Sequence, residues 1–442
     1  MSECCRFTRH DRHLVNPHKN IGIVAAHSWR IHAIFILLLL SLVALFYSRA
    51  LLSITMFGLF AVTVFHRHVG EQLKNFTRNP LLLGMSFLFL IPFISGLWSA
   101  DQEEWLNVMR VKLPLLLTPI VFACRWRLSE QKWRYVGFLF IVLTVIATGW
   151  SLLQYLRDME EVHEGYLRSK IIRTPLDNDH IRFSWMVSMA ILLCLLFIHI
   201  VPAKLTRWLM GAAALWLAAY LHILSARTGL LTFYMVVIIY SLWLLFTNRH
   251  RKLAAAGIVL LVLLPLLAWM VLPTFRNRIR YMLYDISHVR AQTYLPGSND
   301  GNRIMSLRAG WNILAEHPFG VGAGDVKGEA YRWYDRNIPG ILQSDKIEPS
   351  SEWLIYGDAA GWPAVLLFTI IMLIPLLLKN IRHRVFWIAL NITAAFSFLF
   401  DIGLEGQYGV FLYVLLVAWW WKWFTDEPGD GYFPASSSSY TP

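Results

Sequence analysis

Four arginines stand where that side chain has unusual chemistry open to it. Arg110, Arg182, Arg227 and Arg303 each fall beside or between long apolar runs. Arg227 sits in Ser225-Ala226-Arg227-Thr228-Gly229, wedged between two such runs. Arg182 opens another in Asn178-Asp179-His180-Ile181-Arg182-Phe183-Ser184. Arg110 precedes a third together with Lys112, and Arg303 follows Asn302 in the longest polar stretch, with Arg308 and Trp311 beyond it. An arginine at a membrane boundary is costly unless it pairs or lines a wet cavity. Its planar fork stays charged and matches phosphate oxygens two at a time. Converging on one cavity, the four would suit a pyrophosphate at the end of a lipid. The plainer reading of each is a long side chain reaching from an apolar helix end to water.

Two further stretches hold groups able to move protons. Glu316-His317-Pro318-Phe319-Gly320-Val321-Gly322-Ala323-Gly324 carries a histidine and three alternating glycines. It neither follows a strand nor opens a helix as a nucleotide-binding glycine motif does, so a tight connection is the competing reading. Glu348-Pro349-Ser350-Ser351-Glu352-Trp353-Leu354 enters a long apolar run, with Gly361-Trp362-Pro363 further along. Here a serine cap and a first-turn acid favoured by the helix dipole explain the same residues.

These side chains need a frame, and composition says which kind. Of 442 residues 57% are apolar and 15% charged, with a mean hydropathy of +0.49. Soluble domains average about 45–50% apolar and about 25% charged. Runs near the length needed to cross a bilayer fall at 32–47, 50–65, 80–98, 111–124, 133–153, 181–201, 207–224, 228–247, 253–273, 353–378, 384–400 and 403–424. The expected fold is therefore an all-α polytopic membrane protein of about twelve transmembrane helices. Its divisions are an N-terminal tail at 1–30, nine spans over 31–273, a large loop with its own helices at 274–352, three spans over 353–424, and a disordered tail at 425–442.

The net charge of +12 has a topological explanation. Lysines and arginines crowd alternate connections, among them Arg6, Arg9, Arg12 and Lys19, then Arg67, Lys74 and Arg78, then Arg125, Arg127, Lys132 and Arg134, and later Arg249, Arg251 and Lys252. The intervening short loops, such as Ser99 to Glu104 and Asp401 to Glu405, are poor in positive charge. The positive-inside rule puts both termini in the cytoplasm and all four arginines on the outer side. No nucleic-acid partner is expected. Four cysteines, with Cys4–Cys5 lacking a second ligand pair, give neither a disulfide framework nor a metal site.

Taken together and in order, these motifs resemble the O-antigen ligase and polymerase family. The matching pieces are Leu97-Trp98-Ser99-Ala100-Asp101, the Asp179 to Ser184 stretch, Ser225 to Gly229, Asn302-Arg303, His317 to Gly324, Glu352-Trp353-Leu354 with Gly361-Trp362-Pro363, and Glu405-Gly406-Gln407-Tyr408-Gly409. The resemblance implies a GT-C-like membrane glycosyltransferase in a bacterial inner membrane, with 274–352 in the periplasm. It implies a glycan donor on undecaprenyl pyrophosphate and lipid A-core or another hydroxyl as acceptor, without cofactor or metal. Arg227 and Arg303, with Arg182 and Arg110 behind them, would hold the pyrophosphate.

One departure bears on catalysis. Family ligases commonly carry a histidine directly after the proline of this segment, where Ser350 stands here. A serine hydroxyl is no general base near neutral pH, whereas histidine titrates there. Glu352 and His317 become the candidate catalytic residues. O-antigen ligation is the expected activity, ahead of polymerisation and of oligosaccharide transfer to a protein. A secondary transporter is the alternative of another class, disfavoured because no paired, Gly/Pro-broken repeat is present.

Overall fold

A computed structural model describes residues 17–65, 69–166, 171–176, 179–247, 251–291 and 293–426. Cys4, Cys5, Arg6, Arg9, Arg12, Arg67, Asn178, Arg249 and the serine-rich tail lie outside the described residues. Among the described residues the protein is all helix, with no strand. The helices are α1 (Pro17–Tyr47), α2 (Arg49–Val64), α3 (Val69–Arg78), α4 (Pro80–Ser95), α5 (Gln102–Lys112), α6 (Pro114–Ala123), α7 (Glu130–Arg157), α8 (Met159–Tyr166), α9 (His180–Ile200), α10 (Lys204–Leu224), α11 (Arg227–Phe246), α12 (Arg251–Val271), α13 (Pro273–Arg290), α14 (Asp300–Glu316), α15 (Val326–Asn337), α16 (Glu352–Leu377), α17 (Arg384–Phe400) and α18 (Gln407–Thr425).

Most of the apolar runs expected to cross the membrane coincide largely with one helix each, whereas 111–124 straddles α5 and α6 and 403–424 begins in the turn before α18. Among the described residues eight helices meet the length and apolarity for a crossing, with α5 and α6 counted as one; α3 with α4, bent by 87°, would make a ninth. Arg49–Val64 and Arg384–Phe400 are shorter apolar helices. The protein is thus a multi-pass membrane protein. α1 begins at Pro17, inside the segment expected as a polar tail. The large loop holds α13, α14 and α15, with α14 ending just before Pro318.

The helix ends follow local chemistry. Asp101 accepts the Glu104 amide at 2.9 Å to start α5, and Asp179 accepts that of Arg182 at 3.1 Å to start α9. Pro114, which cannot donate to the preceding turn, separates α5 from α6. α9 is the central helix, with 78% of its apolar window buried, whereas α12 has 11% buried and lies at the periphery.

The charged loops sort to two ends of the bundle. At one end basic side chains cover carbonyls: Arg30 donates to Phe65 O at 2.9 Å, Arg207 to Val201 O at 2.8 Å and Lys422 to Cys124 O at 3.1 Å. The connections before α5, α9, α11, α16 and α18 meet at the other end, where the candidate site lies.

Candidate functional site

The 401–406 turn between α17 and α18 is the hub of this end. Asp401, 4% exposed, is shared by two arginines from distant parts of the chain. Arg182 on α9 lies 3.7 Å from it and Arg303 on α14 lies 3.8 Å from it. Arg182 also pairs with Asp179 at 3.2 Å and donates to Ile402 O, and Arg303 donates to Phe400 O at 3.3 Å. Both guanidiniums are thereby fixed to a single turn.

Arg227, the first residue of α11, pairs with Asp300, the first residue of α14. Asp285 holds that end of α14, accepting the amides of Asn299 and Asp300 at 3.0 and 2.7 Å; a carboxylate there complements the helix dipole. Arg227 lies one-third exposed, so one side of it faces out.

A fourth cation joins these three. Arg278 of α13 is 6% exposed, and its Nε and Nη1 have no hydrogen-bond partner among the described residues. Arg227 and Arg303 both lie within electrostatic reach of it. Burial pushes this guanidinium below its ordinary value, and Arg303 adds to that, while Tyr166, Tyr281 and Asp285 oppose it. A buried cation with donors to spare is an anion site in waiting. The sequence offered a signal for it. Phe275, Arg278, Tyr281 and Asp285 form the buried stripe of α13, so helical spacing places an arginine and an aspartate on its inner face.

Arg110 does not join the group. It is exposed on α5, and its guanidinium donates to Asn107 at 3.4 Å. His317 is exposed too; it closes α14 through its backbone, donating to Ile313 O at 2.8 Å and accepting from Gly320 N at 2.8 Å. Glu352 is fully buried at the start of α16, and one carboxylate oxygen accepts the Leu404 amide of the 401–406 turn. The other has no hydrogen-bond partner among the described residues. Ser350, 6% exposed, shares a 2.9 Å hydrogen bond with Ser306 of α14.

The alternating glycines are packing geometry. The segment threads between the 96–101 turn and a break in α16 at Ala360–Gly361. Val321 N donates to Asp358 O at 2.7 Å, Gly322 N to Ala359 O at 3.1 Å and Trp362 N to Pro318 O at 3.0 Å. Gly322 has φ +99 and Gly361 φ +76; a Cβ on either would press into Ser99 or the Pro318 carbonyl. The loop carrying α14 is thereby fastened to α16, and Arg303 with it.

Past the 401–406 turn the charges change character. Lys112, 1% exposed, pairs with Glu405 and lies over the Tyr356 ring at 4.5 Å. Glu104 pairs with Lys327 at 3.5 Å, and Glu348 lies close by. Among the described residues no cluster of three or more His, Cys, Asp or Glu is arranged to hold a metal.

Fold and site together define a multi-pass helical membrane protein with a cluster of arginines and carboxylates at the end of its bundle that holds the 401–406 turn. Residues 212–369 match the family model described as O-Antigen ligase, so that segment carries the signature of the O-antigen ligase and polymerase family. It contains Arg227, Arg278, Arg303, His317 and Glu352, and it supports an activity of the ligase or polymerase type. No curated protein matches the chain significantly.

Proposed function

We propose that this protein moves a glycan from undecaprenyl pyrophosphate to an acceptor hydroxyl at the periplasmic face of a bacterial inner membrane, with lipid A-core as the acceptor. The observation that carries this reading is the gathering of Arg227, Arg278 and Arg303 around one another, with Arg182 tied to Arg303 through Asp401. As the acceptor oxygen attacks the anomeric carbon, the bond from that carbon to the phosphate oxygen breaks. Its electron pair leaves on the pyrophosphate, and fixed cations aimed at the developing charge lower the barrier without a metal. The basic residues at the far end of the bundle support cytoplasmic termini by the positive-inside rule. The 274–352 loop is then periplasmic, and α16, α17 and α18 are the last three spans. Ligation is favoured over polymerisation or transfer to a protein because the one large loop lies late in the chain.

The test is deletion of the gene in its native host, with surface lipopolysaccharide and carrier-linked glycan run side by side on gels. The expected result is loss of the polymer ladder from lipid A-core with long glycan accumulating on the carrier. Short, unpolymerised glycan on lipid A-core would make the protein a polymerase. An unchanged ladder and carrier pool would remove both readings, leaving transfer to a protein or transport.

A further inference from the structure

The carboxylates at this end differ in what they can reach. Glu352 is sealed at 0% exposure and engaged with Leu404, and Asp358 is likewise sealed inside α16. Glu348, four residues before Glu352, is only partly buried. It lines a partly open cavity of about 120 Å³ whose other polar residues are Glu104, Asn107, Lys112, Lys327, Tyr356 and Glu405. Within that lining Lys112 is committed to Glu405 and Lys327 to Glu104. Glu348 is left with neither a hydrogen bond nor an ion pair among the described residues.

We infer that Glu348 takes the proton from the acceptor hydroxyl, and that the cavity it lines is where that hydroxyl enters. This rests on the glycan-transfer reading above. The cavity and the arginine group share the 401–406 turn, for Glu405 lines the cavity while Asp401 holds Arg182 and Arg303. Three carboxylates against two lysines make it a poor host for a phosphorylated group and a suitable one for an uncharged sugar hydroxyl. The step balances. The hydroxyl oxygen forms its bond to the anomeric carbon, the glycosyl–phosphate bond breaks with its electrons going to the pyrophosphate, and the hydroxyl proton passes to the Glu348 carboxylate and then to water.

The surroundings suit the task. Burial and the nearby Glu405 and Glu104 push the Glu348 carboxyl up to about 7, with Lys327 and Lys112 pulling the other way. A base that titrates near the working pH combines a useful ionised fraction with proton affinity. Ser350, two residues on, is packed away against Ser306.

The experiment uses membranes from a deletion host, which hold both the native carrier-linked glycan and the native acceptor. Purified full-length protein is added in detergent, and transfer is followed on gels between about pH 5 and 9. For the unaltered protein the rate should climb through neutral pH as the carboxyl ionises. Glu348→Gln should transfer about 100-fold more slowly or worse, with that rise gone. Its binding of undecaprenyl pyrophosphate should be unchanged, which also shows that it has folded. Glu348→Asp should recover part of the rate and the pH dependence. Transfer by Glu348→Gln within threefold of the unaltered rate, or with the same pH profile, would overturn the assignment while leaving the glycan-transfer reading intact. No transfer by the unaltered protein would overturn both.

Discussion

The two faces of the 401–406 turn carry different charge plans. On the Asp401 face arginines lean on aspartates, Arg182 on Asp179 and Asp401, Arg303 on Asp401 and Arg227 on Asp300, while Arg278 is buried with donors unused. On the Glu405 face carboxylates outnumber cations: Glu104, Glu348 and Glu405 line a cavity with Lys112 and Lys327. Each arrangement has a chemical consequence. Unused arginine donors welcome an anionic leaving group, whereas burial, with Glu405 and Glu104 nearby, pushes the Glu348 carboxyl up to about 7. A transferase needs both environments close together yet separate. A turn with Asp401 at one end and Glu405 at the other supplies that arrangement.

Breaking the cation face should cost most. Arg227→Ala and Arg303→Ala, singly, should each lower transfer about 100-fold or more, by gel assay of complemented deletion strains, with normal levels in the membrane. Asp401→Asn keeps every arginine but loosens two of them, so a smaller loss of about tenfold is expected, read as weaker use of limiting donor at little-changed maximal rate. Installing a histidine at position 350 sharpens the contrast from the other side. Ser350→His should give no gain in transfer and should lose about 1–3 kcal/mol of stability by overfilling the Ser306 contact, seen in thermal melts in detergent. Arg110→Ala should matter least, within about twofold of normal transfer, because this exposed arginine belongs to neither face.

The sequence announces the first face better than the second. Arginines at the edges of apolar runs are anomalies that any reader of membrane sequences will mark, and Arg182, Arg227 and Arg303 do lie at one end of the bundle. Arg110 looked equivalent, yet helical phase turns it outward while Lys112, two residues on, points in to Glu405. Arg278 carries no such mark, because charged residues are ordinary in a polar loop; only the α13 stripe makes it special. The carboxylate face was out of reach. Glu104 and Lys112 of α5, Lys327, Glu348 and Glu405 come from four separate stretches, and nothing in a linear sequence says that they share a cavity. Glu352 and Ser350 carried the signals of a helix start, and their burial follows from α14 packing on α16 and the turn closing over them.

The most direct test of the two-faced account measures binding and transfer on the same purified proteins. Undecaprenyl pyrophosphate without its glycan is the probe for binding, and native membranes from the deletion host report transfer. The account predicts that Arg303→Ala loses both, whereas Glu348→Gln loses transfer and binds the probe as tightly as the unaltered protein. Full binding by Arg303→Ala, or lost binding by Glu348→Gln, would contradict the division of labour between the two faces.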